Sequence, residues 1–217
     1  GDYYVLFEQK VKDDPELPEA AQDMLQKWEN GDKAVLDLWK KMNEWVYRGF
    51  DETYARLGCR FDKVFYESAT YTKGREIVLH GLEKALLKRK TSGEIVVDLR
   101  SLELDEKVLL RKDGTSVYMT QDLGTTAAKF KEYDIDKSIF VVASEQNLHF
   151  KILFHVLNLL GYTWADKCFH LNYGMVYLPE GKLKSREGKV IDADTLMDEL
   201  HELARKEILA RSRDMET

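Results

Sequence analysis

Ser138-Ile139-Phe140-Val141-Val142-Ala143 is an unbroken apolar run. The polar Ser144-Glu145-Gln146-Asn147 follows it, then Leu148–Leu160, a helix-length apolar stretch stopped by Gly161. A strand this apolar is of the kind buried on both faces of a parallel sheet. Reading back toward the N-terminus, Gln121–Tyr133 is helical through Leu123, Ala127 and Phe130, and Ser116–Met119 follows an Asp113-Gly114 turn. Glu94–Leu99 and Lys107–Arg111 read as an antiparallel β pair. Glu76–Lys90 reads as a helix with Ile77, Leu82, Ala85 and Leu86 inward, and Phe61–Tyr66 as a short strand. Toward the C-terminus come strands at Phe169–Leu171 and Met175–Leu178, a polar loop, and a helix over Thr195–Arg211. This alternation predicts an α/β layered domain with a mostly parallel sheet.

The first sixty residues differ in texture. Leu17-Pro18 opens a helix, with proline in the first turn where its missing N–H is harmless. Ala21, Met24, Leu25 and Trp28 follow at helical spacing, and Asn30-Gly31 closes it. A second helix from Asp32 carries Val35, Leu38, Trp39, Met42, Trp45 and Val46 on one stripe and runs to Gly58. Tryptophans at this spacing are expected as core, against a cofactor-box or RNA-stacking alternative.

Composition narrows the class. The 217 residues are 44% apolar and 33% charged, with 13 glycines and 3 prolines, which excludes a disordered, collagenous or low-complexity chain. No run approaches the roughly 18 apolar residues a membrane helix needs, so a cytoplasmic protein without membrane contact is expected. Thirty-three basic and 39 acidic residues give a net charge of −6, so any nucleic-acid contact must be a local basic patch. Cys59 and Cys168 form no C-x-x-C pair, which argues against a disulfide framework or zinc ribbon.

Ligands of open parallel sheets bind at the carboxyl ends of the strands. Three junctions there carry polar groups: Glu67-Ser68, Tyr118–Asp122 and Ser144–His149. They are either ordinary helix caps or the wall of a pocket for a small polar, cationic ligand. The loop Pro179–Lys189 holds four basic residues and two glycines, and reads either as a solvated loop or as a phosphate cradle. It is not a Walker A loop, because Gly181 and Gly188 enclose six residues and Val190 follows Lys189. No G-x-G-x-x-G occurs. His149 and His155 are six apart, on different helical faces, so they make no metal pair, and no metal site is expected. His149, at the junction with Gln146, is the better functional candidate.

At four motifs the chain resembles the arginyl-tRNA synthetase family, of the class I aminoacyl-tRNA synthetases. They are Phe61-Asp62 with Tyr66-Glu67-Ser68; Lys112-Asp113-Gly114-Thr115-Ser116-Val117-Tyr118-Met119-Thr120-Gln121-Asp122; Ala143-Ser144-Glu145-Gln146-Asn147-Leu148-His149-Phe150; and Gly174-Met175 through Lys189. The resemblance implies a Rossmann-like (HUP-type) fold, a mostly parallel sheet with helices on both faces. Residues 61–217 would be the C-terminal half of the catalytic domain, with the signature loop at 181–189, preceded by a helical connecting insertion over 1–60. It also implies activation of L-arginine by ATP, with Mg2+ accompanying the nucleotide, and transfer to tRNA(Arg) by a monomeric enzyme.

By that resemblance Glu67 and Asp122 hold the substrate guanidinium, Tyr118 completes its ring of acceptors, and Gln146 lies near the α-amino group. Five fixed donors on a permanently charged plane suit paired carboxylates. Lys182, Lys184, Ser185 and Arg186 occupy the KMSKS position and would act on the ATP phosphates, though Ser185 stands where the second lysine is usual. His149 would lie near the nucleotide, with Met175 and Val176 near the adenine. No HIGH-type H-x-G-H run is present, so a part of the enzyme that is inactive alone is expected. The alternatives are a non-catalytic arginine- or nucleotide-binding module, and a class I synthetase of other specificity; the acceptor-rich trio Glu67, Tyr118 and Asp122 disfavours the latter.

Overall fold

The computed structural model describes residues 2–175 and 192–214. The chain divides into two units: residues 1–62 together with the C-terminal helix, and Lys63–Val176.

The first unit is helical. A short helix α1, Asp2–Lys10, precedes those expected from the sequence. In α2, Leu17–Glu29, Pro18 sits in the first turn, and Gly31 then takes a left-handed φ of 80° to turn the chain. The Asp32 side chain accepts from the Val35 N–H at 3.0 Å and starts α3, Lys33–Arg56, which ends before Gly58 at φ 70°. Trp28 and Trp39 meet edge to face at 5.5 Å between centroids. The expected tryptophan core is nevertheless absent among the described residues: no residue of α3 is buried, and Trp45 is 55% exposed. Two helices share only one face, so the rest of the stripe meets solvent. Arg56 ties α3 to α7, Ala193–Asp214, through Asp194 at 2.7 Å and Asp198 at 2.6 Å.

The second unit is mixed α/β. Strands β1 (Lys88–Arg89), β2 (Ile95–Val97) and β3 (Lys107–Leu110) form an antiparallel sheet, as expected for the latter two. Strands β4 (Ser138–Ala143) and β5 (Cys168–Tyr173) pair in parallel, in register from Ser138↔Cys168 to Ala143↔Tyr173. Helices α4 (Glu67–Glu83), α5 (Tyr118–Glu132) and α6 (Asn147–Leu159) pack around them. Val78, Val97, Leu109, Leu123, Leu153, Val156 and Leu157 form the centre of the core and are fully buried. Helices α4 and α5 approach at glycine: a Cβ at Gly124 would stand 2.6 Å from the Gly74 nitrogen and 2.9 Å from the Thr70 carbonyl oxygen. The Thr120 hydroxyl donates to the Leu109 carbonyl and fixes α5 on β3.

Several expectations are corrected. Parallel pairing among the described residues is confined to β4 and β5, so a mostly parallel sheet is not what they display. The apolar run of β4 is buried on one face only. Phe140 packs on Phe150 and Phe154, whereas Ile139 and Val141 are 53% and 63% exposed, beside exposed Phe169, Leu171 and Tyr173 of β5. Phe61–Tyr66 is not a strand; among the described residues no strand is laddered to it, and it leads into α4. Helix α4 begins nine residues before the expected Glu76 and stops at Glu83, because Ala85 turns left-handed at φ 57°. Met175 lies beyond β5 and is not in a strand; Val176–Leu178 fall outside the described residues.

Candidate functional site

Strands β4 and β5 end side by side at Ala143 and Tyr173, and that edge carries the polar groups. From β4 the chain passes through a single 3-10 turn, Ser144–Gln146, into α6, placing Asn147 and His149 in its first turn. The Asn172 amide donates to the Asn147 side-chain oxygen at 2.9 Å and fastens β5 to α6. His170 Nε2 donates to the Val142 carbonyl at 2.9 Å, and its ring lies 4.3 Å from that of Phe150.

Asp122 enters from the second turn of α5. Its Oδ2 is 2.6 Å from His149 Nε2, a short charge-assisted hydrogen bond. Two residues that are 27 apart in sequence are thus joined, one from each of two predicted junctions. Lys129, two turns along α5, holds its ammonium 4.7 Å from the Phe140 ring centroid. Burial pulls it below the usual lysine range, and the Asp122 charge opposes that shift.

The other predicted residues are not gathered there. Glu67 is the exposed first residue of α4, where a carboxylate also suits the positive end of the helix dipole. Tyr118 is the first residue of α5 and is 80% exposed. Gln146 is exposed at the N-cap of α6. Among the described residues no hydrogen bond or ion pair joins these three side chains to Asp122 or to one another. Helices α4 and α5 touch at Thr70 and Gly74 against Thr120 and Gly124; Asp122 is two residues from each of the latter, so it lies on another face of α5, toward His149 of α6, while Glu67 begins α4. Met175 is half-buried just past β5, while Val176, Lys182, Lys184, Ser185 and Arg186 lie outside the described residues.

Asn147 and Asn172 join the site with no motif of their own in the sequence, though the Ser144–His149 junction contains the first. A cavity of about 630 Å³ opens elsewhere, between α4 and α5, over Phe130 and Trp164; none of the predicted site residues lines it.

The whole chain, residues 1–217, matches the family described as tRNA synthetases class I (R), catalytic domain. The chain belongs to this family. It is 50% identical over 218 residues to the arginine–tRNA ligase of Treponema denticola, covering 100% of this chain and 37% of that protein. It is 50% identical over 223 residues to that of Bacteroides thetaiotaomicron, covering 95% and 37%. The chain therefore spans little more than a third of the length of these relatives. The crystal structure of Plasmodium falciparum arginyl-tRNA synthetase shares its fold at a TM-score of 0.72 and 20% identity, over 92% of this chain and 33% of that one. Thermus thermophilus arginyl-tRNA synthetase does so at 0.63 and 21%, over 94% and 44%.

Proposed function

We propose that this chain is the arginine- and ATP-handling part of an arginine–tRNA ligase. The observation that carries the reading is Asp122, a carboxylate bonded to His149 in the first turn of the helix that follows β4, in a chain of the arginyl family. In this reading β4 and β5 are two strands of a Rossmann-like parallel sheet with helices on both faces. Residues 1–60 form the connecting insertion and 61–217 the second half of the catalytic domain.

Asp122 and Glu67 accept the guanidinium, the Tyr118 hydroxyl supplies a further acceptor, and Gln146 meets the α-amino group. Lysine, with one compact ammonium, cannot offer these acceptors the planar set of donors that a guanidinium does. The substrate carboxylate attacks the α-phosphorus of ATP and pyrophosphate departs. Lys182, Lys184, Ser185 and Arg186 neutralise the negative charge that develops there. His149 borders the nucleotide, Met175 and Val176 border the adenine, and Mg2+ arrives with ATP. The activated arginine then passes to tRNA(Arg), in a cytoplasmic, monomeric enzyme. Among the described residues no helix is long and apolar enough to cross a membrane.

The test is a transplant. The Treponema denticola ligase, with its matching segment replaced by this chain, is assayed for amino-acid-dependent ATP–pyrophosphate exchange. Exchange driven by L-arginine and abolished by Asp122→Ala supports the reading. A folded, ATP-binding chimera that is silent with arginine, or that prefers another amino acid, overturns it.

A further inference from the structure

Asp122 carries one partner that its role as a substrate ligand does not require. His149 Nε2 lies 2.6 Å from its Oδ2, and the imidazole is not loose. The ring stands edge-on to Phe150 at 5.4 Å and 87°, and Phe150 is itself packed by Phe140, Phe154 and His170. Phe150 is only 6% exposed, so the imidazole is braced from the core. Asp122 stands on α5 and His149 on α6, so the bond joins two separate helices.

From this geometry we infer that His149 is a positioning residue that sets the plane of the arginine-reading Asp122 carboxylate, and so contributes to selection of a guanidinium over an ammonium. The inference rests on the arginine reading of the site. One N–H occupies one of about four lone-pair positions on the carboxylate, so the second oxygen stays open to substrate. A guanidinium engages a carboxylate as a planar fork, and its affinity depends on the orientation of that plane. An ammonium is a point charge and is nearly indifferent to it. His149 therefore acts through Asp122, and its loss falls on arginine far more than on lysine.

The experiment uses the whole 217-residue chain labelled with ¹⁵N-histidine, read by long-range ¹H–¹⁵N correlation, with calorimetry alongside. The His149 ring is expected as a single tautomer with the proton on Nε2, reverting to mixed tautomers in Asp122→Ala. L-arginine is expected to shift those signals and L-lysine to leave them. His149→Ala should weaken L-arginine by about tenfold, and His149→Gln, which retains a donor, should recover part of that. A mixed-tautomer His149 in the unaltered chain overturns the inference without need of any variant. So does a locked ring that ignores L-arginine while calorimetry records arginine binding, an outcome that leaves the substrate reading standing. A locked ring in a chain that binds no L-arginine overturns both.

Discussion

Helices α3 and α6 carry apolar stripes of the same kind and bury them to opposite extents. In α6 Phe150, Ile152, Leu153, Val156 and Leu157 are all buried, because β4, β5 and α5 lie against it. In α3 Leu38, Met42, Trp45 and Val46 are each about half exposed, because α2 covers only one flank. Helical periodicity identifies which face is apolar; whether that face is covered depends on a second layer that periodicity does not report. The same lesson holds within the β4–β5 pair, whose inner face is packed and whose outer face is open.

The comparison is most directly broken at one leucine of each helix. Leu153→Ala should destabilise the second unit by about 2–5 kcal/mol, whereas Leu38→Ala should cost less than about 1 kcal/mol, measured by urea denaturation. Equal costs would mean that the α3 stripe is as well packed as that of α6. Next in size is Gly124→Ala, which must push α4 off α5 and should cost about 1–3 kcal/mol; an unchanged midpoint would show that the two helices do not meet as closely as described. The cysteines extend the contrast to chemistry. Burial pushes the Cys168 thiol up to about 11, whereas Cys59 is exposed. Near neutral pH a disulfide reagent should label Cys59 promptly and Cys168 slower by a factor on the order of a hundred. Because the folded value of Cys168 is raised, its contribution to stability is complete below the ordinary thiol range and falls as pH rises toward about 11. Similar labelling rates for the two thiols would contradict the burial of β5 at Cys168.

Much of the architecture could be read from residues whose signal is local. Pro18, Asp32 and Gly31 mark helix ends through backbone chemistry that tertiary packing does not alter, and α2 and α3 fall where they predict. The boundaries of α5 and α6 came within a few residues for a related reason: both have apolar positions at helical spacing. Helix α4 was misplaced because its buried face is Thr70, Gly74, Val78 and Gly81, small residues that give no hydrophobic period but permit the close crossing with α5. Phe61–Tyr66 has the residue types of a strand without a pairing partner among the described residues. At the site, junction chemistry flagged Asp122 and His149 separately. Their contact depends on the angle between α5 and α6, which no spacing along the chain encodes. Asn172 was overlooked because its bond to Asn147 exists only once β5 is registered on β4.

The central claim is that Asp122, bonded to His149, recognises a guanidinium. Calorimetric titration of the 217-residue chain with L-arginine, L-lysine as control, tests it most directly. The account predicts saturable binding of L-arginine, none of L-lysine at the same concentrations, and loss of the arginine heat in Asp122→Ala. Equal heats for the two amino acids, or arginine binding that survives Asp122→Ala unchanged, would contradict it.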